Sequence, residues 1–260
     1  MKEYYLPKGM RYATIRERRQ FYRQEFKLEN IREWFKEATG RIAFAVIIGR
    51  HTGIYLEKYK EDASTTIIID EYDSLQDVKN YILEFLPESV YYDRNVYDEN
   101  NRIVSQELAF DLDPENVTCP IHGSLADKMQ RGQGLGFCEL ELQMVKDYTV
   151  SLHEYLRKRF SLMTVVYSGR GYHIHVFDKE AYGMNRKARK QLAKEVKTRG
   201  FPIDEWVTAG EMRLIRLPYS LHGLVSRIAV PVEFEKLRTF DPVKDAGCVP
   251  QFLKRQEAIS

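Results

Sequence analysis

The sequence predicts a mixed α/β fold in which mixed sheets are flanked by helices and a loop over residues 114–141 is inserted. Short runs rich in β-branched residues end at glycine or acidic turns and are typical of strands. Other segments place apolar residues three and four positions apart, which indicates amphipathic helices. No repeat, low-complexity segment or linker divides the 260 residues, so we expect a single domain over residues 1–260.

The amino-terminal part of the chain contains candidate helices and strands in a mixed order. Acidic residues interleave with the arginines of the first helical segment, which favours a solvated helix face over a phosphate-binding one. Ser74 is the expected N-cap of a later helix, which Pro87 ends. We expect helices over residues 16–26, 29–38 and 75–86, and strands over 42–48, 65–69 and 90–92.

Residues 105–113 form a predicted strand that ends in two carboxylates, Asp111 and Asp113. Side chains on a strand point to alternate faces, so these two acids emerge on one side and the neighbouring apolar residues face the core. Like charges at that separation repel, and a divalent cation such as Mg²⁺ or Mn²⁺ relieves the repulsion. An Asp-x-Asp pair at a strand end also commonly starts a turn, which is the alternative without a metal.

The inserted loop over residues 114–141 contains a possible zinc site. Glycines and prolines exclude a long regular element here. The loop contains a Cys-x-x-His pair and a Cys-x-x-Glu pair, each with two residues between its members. A pair at that spacing can hold one tetrahedral ion from a single turn. The alternative is two buried thiols and a surface histidine. The candidate ligands are Cys119, His122, Cys138 and Glu141.

A long helix over residues 140–160 is expected to precede two strands joined by a glycine turn. Val145, Tyr148, Leu152, Tyr155 and Leu156 are its predicted buried stripe. The strands that follow cover residues 164–178.

The turn between those strands carries polar groups suited to a polyphosphate. Its glycines allow backbone amides to approach a ligand, while Ser168 and Arg170 add donors. Strand alternation places His173 and His175 on one face. The alternatives are an ordinary hairpin turn and histidines that bind a metal or pack in the core.

The carboxyl-terminal part supplies a third carboxylate and more cations. A basic helix is expected over residues 185–193, and Asp204 follows it. Arg213 and Arg216 share a face if their segment is a helical turn and diverge if it is a strand. A last strand is expected over residues 227–232.

Composition restricts the possible partners and compartments only loosely. The formal net charge of +2 imposes no overall attraction to polyanions. Three irregularly spaced cysteines and no signal peptide favour a reducing, intracellular setting, so we expect a cytoplasmic protein. The longest apolar run, around residues 42–48, is too short to span a membrane.

Three motifs in order resemble the small catalytic subunit of archaeal and eukaryotic DNA primases, and most closely the archaeal form. The motifs are Glu-Leu-Ala-Phe-Asp-Leu-Asp at residues 107–113, Ser-Gly-Arg-Gly-Tyr-His at 168–173, and Arg-Leu-Ile-Arg-Leu-Pro-Tyr-Ser-Leu-His-Gly at 213–223. A closing Phe-Asp-Pro-x-x-Asp-Ala segment at 240–246 extends the likeness over essentially the whole chain.

This resemblance implies a primase-type catalytic domain and roles for particular residues. In such a nucleotidyltransferase, Asp111, Asp113 and Asp204 hold two Mg²⁺ or Mn²⁺ ions. A zinc-bound knob is matched by Cys119, His122 and Cys138. The incoming nucleoside triphosphate is contacted by Ser168, Arg170, His173, Arg216 and His222.

The resemblance also implies a DNA-directed RNA or DNA polymerase that starts primers on single-stranded DNA during replication, at the primosome. A primase large subunit is the expected partner in a heterodimer. The chain departs from the family at Leu224, where many members have a lysine; Arg227 is the candidate substitute. Glu141 stands where members commonly complete a second Cys-x-x-Cys pair.

Two other functions remain open from the sequence. A gap-filling repair polymerase of the same superfamily is one. The other is a metal-dependent phosphodiesterase or nuclease, in which His173, His175 and Asp178 join Asp111 and Asp113 around a metal.

Overall fold

The computed structural model describes residues 4–38 and 40–257, with strands and helices mixed along the chain. The strands are β1 Phe44–Ile47, β2 Thr66–Ile69, β3 Ser89–Asp93, β4 Asn95–Tyr97, β5 Ile103–Gln106, β6 Leu108–Leu112, β7 Met163–Tyr167, β8 Tyr172–Val176, β9 Leu214–Arg216, β10 Leu221–His222, β11 Arg227–Ile228 and β12 Val230–Val232. The α-helices are α1 Ile15–Gln24, α2 Leu28–Trp34, α3 Leu75–Phe85, α4 Leu125–Gln130, α5 Glu139–Leu156, α6 Lys179–Tyr182, α7 Arg186–Thr198, α8 Glu205–Thr208, α9 Phe234–Leu237 and α10 Gln251–Glu257. Short 3₁₀ turns cover Glu57–Tyr59 and Pro114–Asn116.

Two four-stranded sheets form the centre of the fold, which confirms the predicted mixed α/β class. The first has the order β2-β1-β3-β9 and the second the order β12-β7-β8-β6. Two-stranded ribbons, β4-β5 and β10-β11, lie beside them. Neighbouring named strands in the described part of the chain pair antiparallel. The domain boundary prediction of 1–260 stays a prediction, and residues 1–3, 39 and 258–260 lie outside the described residues.

Apolar side chains bury strand β8 and the edge strand β6 in the core. Leu108, Phe110 and Leu112 are fully buried, as the alternation predicted, and Ile174 packs in the same apolar cluster. That cluster also includes Phe44 of β1, so one core serves both sheets. Burial of this kind on both sides fixes the register in which Asp111 faces His173 across the β6-β8 pair.

The predicted strand over residues 105–113 is wrong in one respect, because it is two strands. Glu107 interrupts it: its N–H donates to the carbonyl of Arg94, and β5 and β6 join different sheets on either side. The Glu107 carboxylate turns inward, 2.6 Å from Nδ1 of His175 and 2.7 Å from the hydroxyl of Tyr92. A buried carboxylate requires hydrogen-bond partners, and Glu107 has two of them at the position where the strand breaks.

The buried stripe of helix α5 differs from the predicted one at its two tyrosines, since Tyr155 is only partly buried and Tyr148 is exposed. Val145, Leu152 and Leu156 are buried as expected, but Tyr148 is 37% exposed. Thr149 takes its place in the core and donates its hydroxyl to the carbonyl of Val145. A shift of one residue rotates a helical side chain by about 100°, which carries Tyr148 to solvent.

Candidate active site

Three carboxylates meet at the exposed edge of strand β6. Asp111 is the fourth residue of that strand and Asp113 follows its end. Asp204 arrives from a distant part of the chain, because its backbone N–H donates to the carbonyl oxygen of Asp111 at 2.9 Å. The Asp204 side chain also accepts from the N–H of Trp206 and so caps helix α8. The structure therefore brings the three predicted acids to one place.

The electrostatics of this cluster fit a bound cation. Burial raises the pKa of Asp111 well above its ordinary value, and the charges of Asp113 and Asp204 raise it further. Burial likewise raises the pKa of Asp113 despite the opposing charge of Arg170. One oxygen of each, Oδ1 of Asp111 and Oδ1 of Asp113, is buried without a hydrogen-bond partner. Two unpartnered carboxylate oxygens in mutual repulsion are suitable ligands for Mg²⁺ or Mn²⁺.

The glycine turn between β7 and β8 packs directly against the carboxylates. Two hydrogen bonds hold the turn together. The N–H of Ser168 donates to the carbonyl of Gly171 at 2.9 Å, and the N–H of Gly171 donates to Oγ of Ser168 at 3.1 Å. A Cβ at Gly171 would collide with Oδ1 of Asp113. Gly169 has φ +104°, and a Cβ there would lie 2.6 Å from Cβ of His222. These positions require glycine because the turn touches the site.

Arg170 projects from this turn into the acidic side of the site. Its guanidinium lies 2.5 Å from Oε1 of Glu115 and 3.5 Å from Oδ2 of Asp113, and it donates to the carbonyl of Leu135 at 3.3 Å. Burial lowers the pKa of Arg170, but the charges of Glu115 and Asp113 outweigh it and raise the pKa above the ordinary value. The site therefore holds a permanent cation beside its carboxylates.

Arg216 supplies a second buried cation from strand β9 of the first sheet. Its Nη2 donates to Oγ of Ser89 and to the hydroxyl of Tyr91, both at 3.2 Å, while Nη1 is buried without a partner. Its charge lowers the pKa of Asp113, which places it within electrostatic reach of the carboxylates. Arg213 points the other way, is half-exposed and pairs with Asp93 at 3.3 Å. The segment is thus a strand, and the helical-turn alternative is wrong.

His173 and His222 line the site as neutral imidazoles. Burial lowers the pKa of both well below the ordinary value, and neighbouring cationic groups, Arg216 among them, lower it further. His173 Nε2 lies 3.4 Å from Oδ1 of Asp111, and Nδ1 of each ring is buried without a partner. A neutral imidazole carries one N–H donor and one acceptor, so each ring retains hydrogen-bonding capacity.

Two acidic residues of the site were not predicted from the sequence. Glu115 pairs with Arg170, and its place two residues after Asp113 is the only signal that pointed to it. Glu88 is buried and lies 2.6 Å from Nδ1 of His51, whose charge lowers the pKa values of Glu115 and His222. No local motif marks the His51–Glu88 pair, because its members come from separate loops.

Arg18 holds the loop that carries His51. Contrary to the predicted solvated helix face, its guanidinium is buried and donates to the carbonyls of Ile48 and Ile54 and to Oγ of Thr52. Burial lowers the pKa of Arg18 to about 10. Helix α1 therefore helps to fix the loop that carries His51.

The structure does not bring together the nuclease metal set. His175 is fully buried against Glu107, on the core side of the site. Asp178 lies beyond the far end of β8 and accepts from the N–H groups of Ser161 and Leu162. Arg227, the candidate substitute for the lysine absent at Leu224, is buried and bonded to the carbonyls of Pro242 and Gly9.

The inserted loop does assemble the predicted zinc ligands. Ligand atoms of Cys119, His122, Cys138 and Glu141 all lie within 4.8 Å of one another. The two Sγ atoms are 3.9 Å apart; a tetrahedral zinc with Zn–S bonds of ~2.3 Å requires about 3.8 Å.

Glu141 presents one carboxylate oxygen to the same site, and its other oxygen is bonded to Lys128. Its Oε1 accepts from Nζ of the buried Lys128 at 2.7 Å, while Oε2 lies 3.8 Å from Nδ1 of His122. The rings of Tyr5 and His122 stack at 4.3 Å. The cluster is compatible with a structural zinc ion.

Comparisons with known proteins identify related sequences and one related fold. No family model matches the chain. A protein of Archaeoglobus fulgidus, described as an uncharacterized DNA primase small subunit-like protein, is 52% identical, and the match covers 96% of this chain and 94% of that protein. The DNA primase small subunit PriS of Pyrococcus horikoshii is 26% identical, with 70% of this chain and 49% of the relative covered. PriS of Saccharolobus solfataricus is also 26% identical, covering 66% of this chain and 68% of the relative.

A solved structure has the same fold. It is the polymerase domain of Mycobacterium tuberculosis Ligase D in complex with DNA, with a TM-score of 0.55, 15% sequence identity, and coverage of 99% of this chain and 96% of that one. Among the described residues, no helix has the length and apolar character needed to cross a membrane. The relatives and the polymerase-domain fold support a nucleotidyltransferase enzyme. The chain belongs to the family of DNA primase small subunit-like proteins.

Proposed function

We propose that this chain is the catalytic small subunit of a DNA primase, which makes short primers on single-stranded DNA from nucleoside triphosphates. The observation that carries the proposal is the pair of unpartnered oxygens on Asp111 and Asp113, set between Asp204 and two buried arginines. Acids that bind metal beside cations that bind phosphate form the arrangement that phosphoryl transfer requires.

The residues of the site divide this work between them. Two Mg²⁺ or Mn²⁺ ions at Asp111, Asp113 and Asp204 would supply activation of a 3′-hydroxyl and charge neutralisation at the leaving pyrophosphate. Arg170 and Arg216 bind the triphosphate through charge-assisted hydrogen bonds, and the unpartnered Nη1 of Arg216 is the most available donor. His173 and His222, being neutral, donate single hydrogen bonds and carry no net charge into the site.

Primer synthesis without a pre-existing primer is the test of this function. Single-stranded DNA, a nucleoside triphosphate mixture and Mg²⁺ or Mn²⁺ are supplied to the chain alone and to its heterodimer with a primase large subunit. We expect short oligonucleotides, and addition of a chelator should stop their formation. If neither preparation makes a product on any single-stranded template, while a known primase does so in parallel, the proposal is wrong.

A gap-filling repair polymerase is the second candidate, because the solved structure with the same fold is a polymerase domain of a ligase. The two functions differ in how the first bond is made. A repair enzyme extends an existing 3′ end across a short gap, whereas a primase joins two nucleotides on a bare strand. Product formed only on gapped DNA would favour repair.

The cysteine cluster supports a structural zinc ion in the inserted loop. Replacing Cys119 with Ser is expected to remove zinc, since a serine hydroxyl is a poor ligand at neutral pH, and to destabilise the chain because metal binding stabilises the fold of such loops. Metal content by plasma emission and the unfolding temperature measure the two effects. Cys248→Ser is the control, because Cys248 is buried near Asp245, outside the cluster. Equal zinc content in both variants would contradict the assignment.

A further inference from the structure

Trp206 is unusually exposed for a tryptophan beside a catalytic centre. Its side chain belongs to helix α8 and the residue is 64% exposed. Its backbone N–H donates to Oδ1 of Asp204 at 2.8 Å, so the residue is held two positions from the third carboxylate. Met212, 49% exposed, donates its N–H to the carbonyl of Trp206 at 2.9 Å. Two exposed apolar residues, Trp206 and Met212, are therefore held near Asp204.

Helix α7 presents a basic face next to these residues. Lys187, Lys190 and Lys194 are exposed, and their spacing of three and four residues places them on one side of the helix. Lys190 reaches Glu211 at 2.7 Å, and Lys197 pairs with Glu205, the residue before Trp206. These ion pairs connect helix α7 to Glu205 and Glu211, which lie on either side of Trp206 in the chain.

Part of this positive charge is not neutralised by the protein. Within the described ranges, Lys187 and Lys194 have no acidic partner within ion-pair distance. An aromatic ring beside uncompensated lysines is the combination that binds a nucleic-acid strand, since bases stack on the ring and phosphates meet the charges.

Different groups border the two ends of the Asp111–Asp113 pair, and this difference decides which strand fits here. Arg170 and Glu115 lie at the Asp113 end, and Asp204 is bonded to Asp111 at the other. In an in-line displacement the attacking oxygen and the leaving pyrophosphate are on opposite sides of the reacting phosphorus. With the triphosphate at the arginines, the attacking 3′-hydroxyl comes from the Asp204 side.

We propose that Trp206 and the basic face of α7 bind the terminal nucleotides of the strand that carries the attacking 3′-hydroxyl. The inference rests on the proposed function, because the side from which the 3′-hydroxyl attacks is taken from that reaction. The indole stacks on a base near the 3′ end, and Lys187 and Lys194 contact phosphates of the same strand.

Fluorescence of Trp206 tests the contact directly. The chain has two tryptophans, and Trp34→Phe keeps an aromatic ring against His175 while leaving Trp206 as the only indole. The probe is a DNA primer–template with a recessed 3′ end, titrated without divalent metal so that binding is measured apart from reaction. We expect saturable quenching, and about tenfold weaker binding for Trp206→Ala.

Kinetics and salt dependence supply the second measurement. Trp206→Ala should raise KM for the primer–template about tenfold and leave KM for the nucleoside triphosphate unchanged. Lys187→Gln combined with Lys194→Gln should flatten the salt dependence of binding by about 0.7 to 0.9 for each phosphate that the lysines no longer neutralise. Trp206→Phe should restore most of the affinity. Tyr81→Ala is the control, since Tyr81 is an exposed aromatic on α3.

The outcomes separate this inference from the function on which it rests. If the chain makes primers on single-stranded DNA but shows no quenching and is unaffected by Trp206→Ala, the proposed function stands and the inference is wrong. If Trp206→Ala weakens association with a primase large subunit but not with DNA, the surface binds protein and the inference is also overturned. If neither the natural chain nor any variant makes a product on single-stranded DNA, the proposed function fails, and quenching by DNA alone still decides whether Trp206 touches the strand.

Discussion

Asp111→Asn is expected to lower nucleotide incorporation by about a thousandfold or more. The substitution keeps the shape of the side chain and removes the charge that a divalent cation requires. Loss of several kcal/mol of transition-state charge stabilisation corresponds to that factor at about 1.4 kcal/mol for each tenfold change in rate. Single-turnover extension of a primer with Mg²⁺ or Mn²⁺ measures it, and binding of DNA should persist because the Asp111 side chain is mostly buried and negatively charged groups do not bind phosphates.

The same substitution should make the metal-free chain more stable. The pKa of Asp111 is raised in the folded state by burial and by Asp113 and Asp204. Between its unfolded and folded pKa values the folded chain binds the extra proton, so the stability contributed by this group falls as pH rises through that window. At pH values above the unfolded pKa the raised pKa of Asp111 therefore costs folding free energy in the metal-free chain, and Asn removes that cost. Calorimetry with chelator should show a higher unfolding temperature for the variant.

Divalent metal should reverse the order of stability. Added Mg²⁺ or Mn²⁺ binds the folded natural chain and stabilises it by mass action, and should have a smaller effect on Asp111→Asn. Asp62→Asn, at an exposed position, is the matched control for both measurements. Full activity in Asp111→Asn would show that the carboxylates do not form the proposed centre. An unfolding temperature of the natural chain that does not change when metal is added would show the same.

Arg216→Met is expected to lower kcat/KM for the nucleoside triphosphate by about a hundredfold to a thousandfold, near the lower range for an arginine that stabilises phosphoryl transfer. Methionine retains much of the volume, and the hydrogen bonds that Arg216 makes to Ser89 and Tyr91 are long ones at 3.2 Å. The substitution should therefore change both KM for the nucleoside triphosphate and kcat. Steady-state extension with varied nucleotide concentration gives both parameters.

Arg213→Met provides the control for Arg216. Arg213 is three residues earlier, carries the same charge and is half-exposed beside Asp93. The Arg213 side chain lies away from the carboxylates, against the buried Asp93, so its removal should affect stability more than catalysis. We expect kcat/KM to change less than about threefold. Equal losses in the two variants would mean that general positive charge matters and that Arg216 has no special role at the triphosphate.

The sequence alone was enough to predict most of the longer helices and strands and the order of the site's motifs. Asp111 and Asp113 share a side because a strand alternates, and the glycines at 169 and 171 already implied a tight turn. The capped helix after Ser74 formed as expected, with a capping box completed by Asp77. These features depend on a few neighbouring residues, so local stereochemistry decides them.

Only the tertiary structure decided which distant residues meet. Asp204 reaches Asp111 through a backbone hydrogen bond, Arg216 enters from the other sheet, and Glu107 breaks a strand to meet His175. No local periodicity encodes such contacts, since they depend on how two sheets pack around one core. The residue types that carry the chemistry were readable from the sequence, whereas their partners, protonation and orientation were set by packing, because burial and long-range charge arise only when the chain has folded.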